Sequence, residues 1–230
     1  MTVGFIALWK NNQREYSASP RDEWGTNDAI QAAFANGRDR GNRTYGLYYC
    51  RWSSPWQYLT FWVSPGMDAV FDTIADLERA GDFKFADSWH IFGRYRDEPT
   101  YLTDGAWDVI PEPVEGEPPL LGMVLLERWN GTAPDPNPAP TAIRTEAGGE
   151  NTLRFYGAFD CRFSTGWDRF SFVTAADANQ LAIYLRQRER AGGFRGVDSL
   201  AVTGRLDRYF RFGNHLQTSL TWLDVEAEQR

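Results

Sequence analysis

The stretch Tyr-Gly-Leu-Tyr-Tyr-Cys-Arg-Trp-Ser-Ser-Pro-Trp at residues 45–56 returns at 156–167 as Tyr-Gly-Ala-Phe-Asp-Cys-Arg-Phe-Ser-Thr-Gly-Trp. Laid over each other without a gap, Tyr45–Arg96 and Tyr156–Asp207 agree at roughly 16 of about 52 positions, more than shared periodicity supplies. Glu78-Arg79-Ala80-Gly81-Asp82-Phe83 and Glu189-Arg190-Ala191-Gly192-Gly193-Phe194 hold the same register. The chain therefore contains one structural unit twice.

Working outward, Tyr45–Trp52 and Tyr58–Val63 are rich in aromatic and β-branched residues and read as two strands joined at Ser53–Trp56. Ser64-Pro65 opens a helix whose Met67, Val70, Phe71, Ile74 and Leu77 share one face, and Gly81 stops it. Ser88–Tyr95 is the next strand. Upstream, Gly4–Trp9 reads as a strand, and Thr26-Asn27-Asp28 caps a helix that Gly37 ends. The order is βαββαβ. The second unit answers with Leu121–Arg128, Phe155–Phe163, Arg169–Thr174, a helix from the Thr174-x-x-Asp177 cap to Gly192, and Ser199–Leu206. Its first helix is missing or shrunken, because Asn130–Asn151 is rich in Pro, Ala and Gly. The divisions are 1–96 for the first repeat, 97–120 for a Pro-rich linker, 121–207 for the second repeat, and 208–230 for a tail whose aromatic positions pack on the body.

The bulk numbers bound the function. A chain of 230 residues with 42% hydrophobic residues buries a substantial core. A net charge of −7 argues against nucleic acid or an anionic membrane as partner. No apolar run approaches the ~20 residues that span a bilayer. The N-terminus enters a strand directly with no basic leader, so the expectation is a cytoplasmic protein, monomeric or a homodimer. Cys50 and Cys161, the two cysteines, take equivalent places and read as small buried apolar residues. With two histidines, His90 and His215, no metal site is expected.

Two βαββαβ units resemble two ferredoxin-like folds, and the whole resembles the dimeric α+β-barrel superfamily with its dimer fused into one chain. That resemblance implies an α+β fold in which two ferredoxin-like repeats with antiparallel sheets form one pseudo-twofold barrel. The ending Asp87-x-Trp89-x-x-x-Gly93-x-Tyr95-Arg96 is similar to chlorite-dismutase-like proteins, which hold haem through a His on a helix of the second half. No such His stands here, and the expectation is a chain without cofactor.

Alternation sets which side chains face the barrel. Positions apolar in both copies, such as Leu59/Phe170 and Phe61/Phe172, are assigned to the helix side. Tyr45, Tyr49, Tyr58, Trp62, His90 and Phe92, with Asp160, Arg169 and Ser171, are assigned to an aromatic-walled pocket inside the barrel. His90 as general base, oriented by Asp160, and Tyr49 as oxyanion donor form the expected catalytic set. Tyr45, Tyr58, Trp62, Phe92, Arg169 and Ser171 form the expected binding set for a small hydrophobic or aromatic molecule. The reading is cofactor-independent acid/base chemistry (cyclisation, isomerisation or oxygenation) on an aromatic or polyketide-like substrate. Its alternatives are a non-catalytic carrier and a haem protein with His90 as axial ligand.

Overall fold

A tyrosine followed by a glycine decides how each sheet fills its interior. The computed structural model describes residues 1–12, 27–82, 86–96, 121–130 and 153–206. Its elements are β1 (Val3–Asn11), α1 (Asn27–Asp39), β2 (Arg43–Tyr49), β3 (Tyr58–Ser64), α2 (Met67–Arg79), β4 (Ala86–Tyr95), β5 (Leu121–Trp129), β6 (Arg154–Asp160), β7 (Arg169–Ala175), α3 (Ala178–Arg190) and β8 (Val197–Leu206). The strands pair antiparallel in the order β1-β3-β2-β8-β5-β7-β6-β4, and that order closes on itself. Gly46 and Gly157 have φ of 112° and 113°, which favours glycine. At both places the register shifts, between Thr44 and Leu47 and between Phe155 and Ala158. The irregularity lets Tyr45 and Tyr48, and likewise Tyr156 and Phe159, all point inward.

The interior is full. Phe61 stacks on Phe172 at 4.5 Å and Phe159 on Phe170 at 4.9 Å, while Tyr45 and Tyr156 meet at 5.3 Å. Each such buried side chain contributes about 1.5–3 kcal/mol through apolar area alone. Cys50 and Cys161 are buried free thiols in the same cluster. This reverses the expected parity: Leu59, Phe61, Phe170 and Phe172 face the interior, while Trp62 and Phe92 join the cluster under α1 and α2. Eight strands enclose a space that side chains must fill with no helix to help, so the most apolar positions go there.

Four glycines admit the largest rings across the halves. Gly4 pairs with Gly93, and a Cβ on either would meet Phe159 of the second half at 2.6 Å or less. Gly122 pairs with Gly204, and a Cβ there would meet Tyr48 of the first half at 2.7 Å or less. The seams themselves are short, Tyr48–Tyr49 on Arg205–Leu206 and Arg94–Tyr95 on Phe159–Asp160. Serine bridges extend them. Ser53 Oγ donates to the Thr203 carbonyl at 2.5 Å and accepts the Thr203 N–H at 3.1 Å. Ser164 does the same to Phe92, at 2.6 and 3.1 Å.

Other expectations change in detail. α1 runs through Gly37 to Asp39, and the stop is Gly41 at φ 88°. Gly37 instead faces α2, where an added Cβ would lie 2.7 Å from Thr73. β2 and β6 end at Tyr49 and Asp160, because Cys50 and Cys161 start turns that close back on their carbonyls. Asp177 itself caps α3 by accepting from Gln180 N–H at 2.9 Å, whereas the Thr174-x-x-Asp177 signal puts the cap at Thr174, which lies in β7. Phe83, the linker 97–120, residues 131–152 and the tail 208–230 lie outside the described residues. No helix among the described residues is long and apolar enough to cross a membrane.

Candidate functional site

The expected catalytic set does not converge. His90 sits on the outer face of the first half, its ring edge-on to Phe5 at 5.4 Å. Asp160 pairs across the seam with Arg94, four residues along β4 from His90, hence about 13 Å away along the strand. Its carboxylate is held by Arg162, whose Nε donates to Oδ1 at 3.0 Å, and that guanidinium keeps it below the usual carboxylate range. Tyr49 is 38% exposed and packs its ring on Tyr58 at 5.8 Å. Tyr58 in turn lies against Trp9 at 5.4 Å. Of the expected binding set, only Tyr45 faces the interior. Trp62 is buried under the helices, its Nε1–H donating to Thr60 Oγ1 at 3.1 Å. Phe92 meets Phe5 at 5.0 Å and Phe71 at 5.1 Å. Arg169 and Ser171 lie on the outer face of β7, both buried.

His90 is half-buried, and desolvation lowers its pKa against the opposing pull of Glu78. It is neutral at pH 7, with a lone pair on one ring nitrogen. Phe5 links His90 to Phe92, which in turn meets Phe71, 49% exposed. His90 Nε2 is buried from solvent, and the charge of Glu78 on α2 acts on the ring, so the margin between α2 and β4 is apolar only in part.

A second place was missed by sequence reasoning. On the outer face of the second half, Glu127 is wholly buried and accepts from Arg188 Nη2 at 2.6 and 2.7 Å and from Arg169 Nε at 2.7 Å. Arg188 also donates to Tyr184 Oη at 3.2 Å. Arg169 lies over the Trp129 ring at 5.1 Å, and Asp168 Oδ2 accepts the Trp129 backbone N–H at 2.7 Å. Beside this cluster a cleft of about 140 Å³ is lined by Arg96, Trp129, Asp160, Arg162 and Asp168. The first half has Trp9, Tyr58 and Leu77 where the second has Glu127, Arg169 and Arg188. It has Asn11, Tyr49 and Gln57 where the second has Trp129, Asp160 and Asp168. The signal was readable: a Glu inside the apolar run Leu121–Trp129, and Arg188 on the apolar face of its helix, each without a charged counterpart. Among the described residues no three His, Cys, Asp or Glu side chains cluster as metal ligands.

No protein-family model matches the chain, and no curated protein matches it. Solved structures do. A doubly substituted chlorite dismutase from Candidatus Nitrospira defluvii superposes with TM-score 0.61 at 10% identity, covering 90% of this chain and 91% of that one. Another variant of that protein gives 0.62 at 11% identity, with the same coverage. A haem-binding protein from Thermus thermophilus gives 0.58 at 12% identity, covering 89% of this chain and 90% of that one. At these identities the likeness is one of fold. It corrects the expectation of a chain without cofactor: the fold is shared with a haem-binding protein as well as with chlorite dismutases.

Proposed function

We propose that the chain is a haem-binding protein in which two ferredoxin-like repeats form one barrel and His90 is the axial ligand. The observation that carries this is the state and setting of His90. It is the one histidine among the described residues, kept neutral by desolvation, and set in a margin of phenylalanine rings. A neutral imidazole is the form that ligates iron. Shared fold with a haem-binding protein supports the same reading.

The donor chemistry fits, and the enclosure is partial. The cleft of about 140 Å³ beside Trp129 is not lined by His90, and ligand pockets usually span roughly 300–1,000 Å³. His90 would hold the group at the margin between α2 and β4, where Phe92 and Phe71 supply apolar surface, and side chains covering Nε2 would have to move aside for it. Haem supplies an iron able to take a further ligand or an electron. The chain's own part would be to hold the imidazole neutral. The barrel interior takes no part, since aromatic rings fill it.

Titration of the purified protein with haemin tests this. The expected result is a Soret band that saturates at one equivalent and is absent in His90→Ala, with the far-UV circular dichroism unchanged. A band that survives His90→Ala overturns the assignment of the ligand. No band at any ratio overturns haem binding itself.

A further inference from the structure

The duplication lays α2 of the first half over α3 of the second, and the outer faces of these two helices differ in the sign of their charge. We propose that the two faces meet between copies of the chain, α2 of one copy lying on α3 of the next.

Burial fixes which face of each helix looks outward. Val70, Ile74 and Leu77 are buried along α2, and Leu181, Tyr184 and Arg188 along α3. At 3.6 residues per turn the opposite face of α2 holds Asp68, Asp72 and Arg79, and that of α3 holds Ile183, Arg186 and Arg190. All six are exposed. Arg79 is engaged on its own helix, its Nη1 2.9 Å from Asp76 Oδ1. At the place of Asp76, α3 carries Gln187, so Arg190 lacks such a carboxylate. Asp68, Asp72, Arg186 and Arg190 form no ion pair among the described residues. Glu78 and Glu189 are equivalent and exposed on the flank of both helices, so the contrast in sign remains.

The two faces also match in spacing. Asp68 and Asp72 stand four residues apart, as do Arg186 and Arg190, and like charges at that spacing repel along a helix. An antiparallel approach sets Asp68 against Arg190 and Asp72 against Arg186, which replaces two repulsions by two carboxylate–guanidinium pairs. Ile183, 45% exposed, supplies an apolar contact on one helix, and Ala75 leaves room for it on the other. Copies with a net charge of −7 repel in general, so a basic face is where a second copy gains by approaching. The two halves form opposite walls of the closed sheet. Each copy therefore meets two neighbours, and the head-to-tail contact closes into a ring or runs on as a fibre.

The test is sedimentation of the full-length, haem-free chain at about 0.1 M salt. A single helix pair is smaller than a standard interface, so the mean mass should grow reversibly over about 10–500 μM protein. Asp68→Lys with Asp72→Lys makes both faces basic, and Arg186→Glu with Arg190→Glu makes both acidic. Each double variant alone should associate at least about tenfold more weakly than the parent. Mixed one to one, the two carry matched faces again and should associate as the parent does. The lysine variant moves the net charge of −7 toward neutrality, which by itself favours association, so general repulsion does not account for its loss. Far-UV circular dichroism checks each fold, and Asp72→Lys or Arg186→Glu alone replaces a double variant that unfolds. A parent that stays a single chain throughout overturns the proposal. So does association that survives both variants, or a mixture that associates no better than its components. The contact involves neither His90 nor Phe71, so this outcome is separate from that of the haemin titration.

Discussion

Replacing Glu127 by Gln removes the single carboxylate that two buried guanidiniums share. Glu127 is 0% exposed, and the side chains of Arg169 and Arg188 are 4% and 3% exposed. Solvent cannot take over the lost charge. Breaking a buried ion pair from one side costs about 3–5 kcal/mol, because the remaining charge stays behind unpaired. Glutamine still accepts one hydrogen bond through Oε1, which places the expected loss near the low end, about 3 kcal/mol. With a urea slope of about 2 kcal/mol per molar, the midpoint of unfolding should fall by about 1.5 M. A second variant sets the scale. Glu127→Trp, Arg169→Tyr and Arg188→Leu together install the set the first half already carries, and an apolar replacement of a buried ion cluster is neutral or stabilising by up to about 4 kcal/mol. Urea melts followed by far-UV circular dichroism measure both, provided the slopes agree. A loss below about 1 kcal/mol in Glu127→Gln would refute the claim that the cluster is dry and tightly coupled. So would a triple variant that loses as much as the single one.

Four further outcomes follow from the packing. Gly122→Ala places a methyl 2.6 Å from the Tyr48 ring, whose hydroxyl is tied to the Tyr45 carbonyl at 2.9 Å, and should cost about 1–3 kcal/mol. Gly66→Ala meets nothing within 4 Å but replaces the N-cap of α2, so it should cost no more than about 1 kcal/mol in the same melts. Burial pushes the Cys161 thiol up to about 12, so at pH 8 a thiol reagent should label it only as the protein unfolds, and immediate labelling of the native protein would contradict its place in the core. Burial also raises Asp82 to about 6 from 3.8. A carboxyl with a raised folded-state pKa lends stability that is fully present below about pH 4 and lost as pH rises through 6. Asp82→Asn should therefore be more stable than the parent at pH 7 and equal to it at pH 4, with denaturant midpoints at the two pH values as the check.

Much of this fold is legible before any coordinate. The duplication and the aromatic and β-branched runs of β3 and β7 lead to the strands found, while the cap of α3 falls three residues later than the Thr174 signal puts it. Strand parity is not legible from apolarity in both copies, because two apolar layers compete for the same residues. In a closed eight-stranded sheet the inner layer wins, and Phe61 and Phe172 go there. The bulges at Gly46 and Gly157 hide the change a second time, since strict alternation cannot send both Tyr45 and Tyr48 inward. The expected site failed for that reason. Once parity reverses, Trp62 and Phe92 become supports for α1 and α2, and His90 leaves the barrel for the surface margin. Arg169 belongs to the expected binding set, but its partners Glu127 and Arg188 lie on other elements, and only the folded sheet brings the three together.

The comparison between halves separates packing from binding. Inside the barrel the paired positions stay alike: Tyr45 with Tyr156, Phe61 with Phe172, Tyr48 with Phe159, Cys50 with Cys161. Both halves meet the same steric demand there, so both answer it with residues of the same kind. At the Trp129 corner one half is aromatic and the other charged, although the backbone registers match, Trp9 on Tyr58 and Glu127 on Arg169. Packing is satisfied by either set and does not explain the charges. Stability explains them no better, since a buried ion cluster gains little over its apolar equivalent. What the charged set adds is a guanidinium held over an indole. The triple variant decides whether the fold needs it. Retained or increased stability means that packing is indifferent to the charges, and a loss as large as in Glu127→Gln means that the second half is built around them.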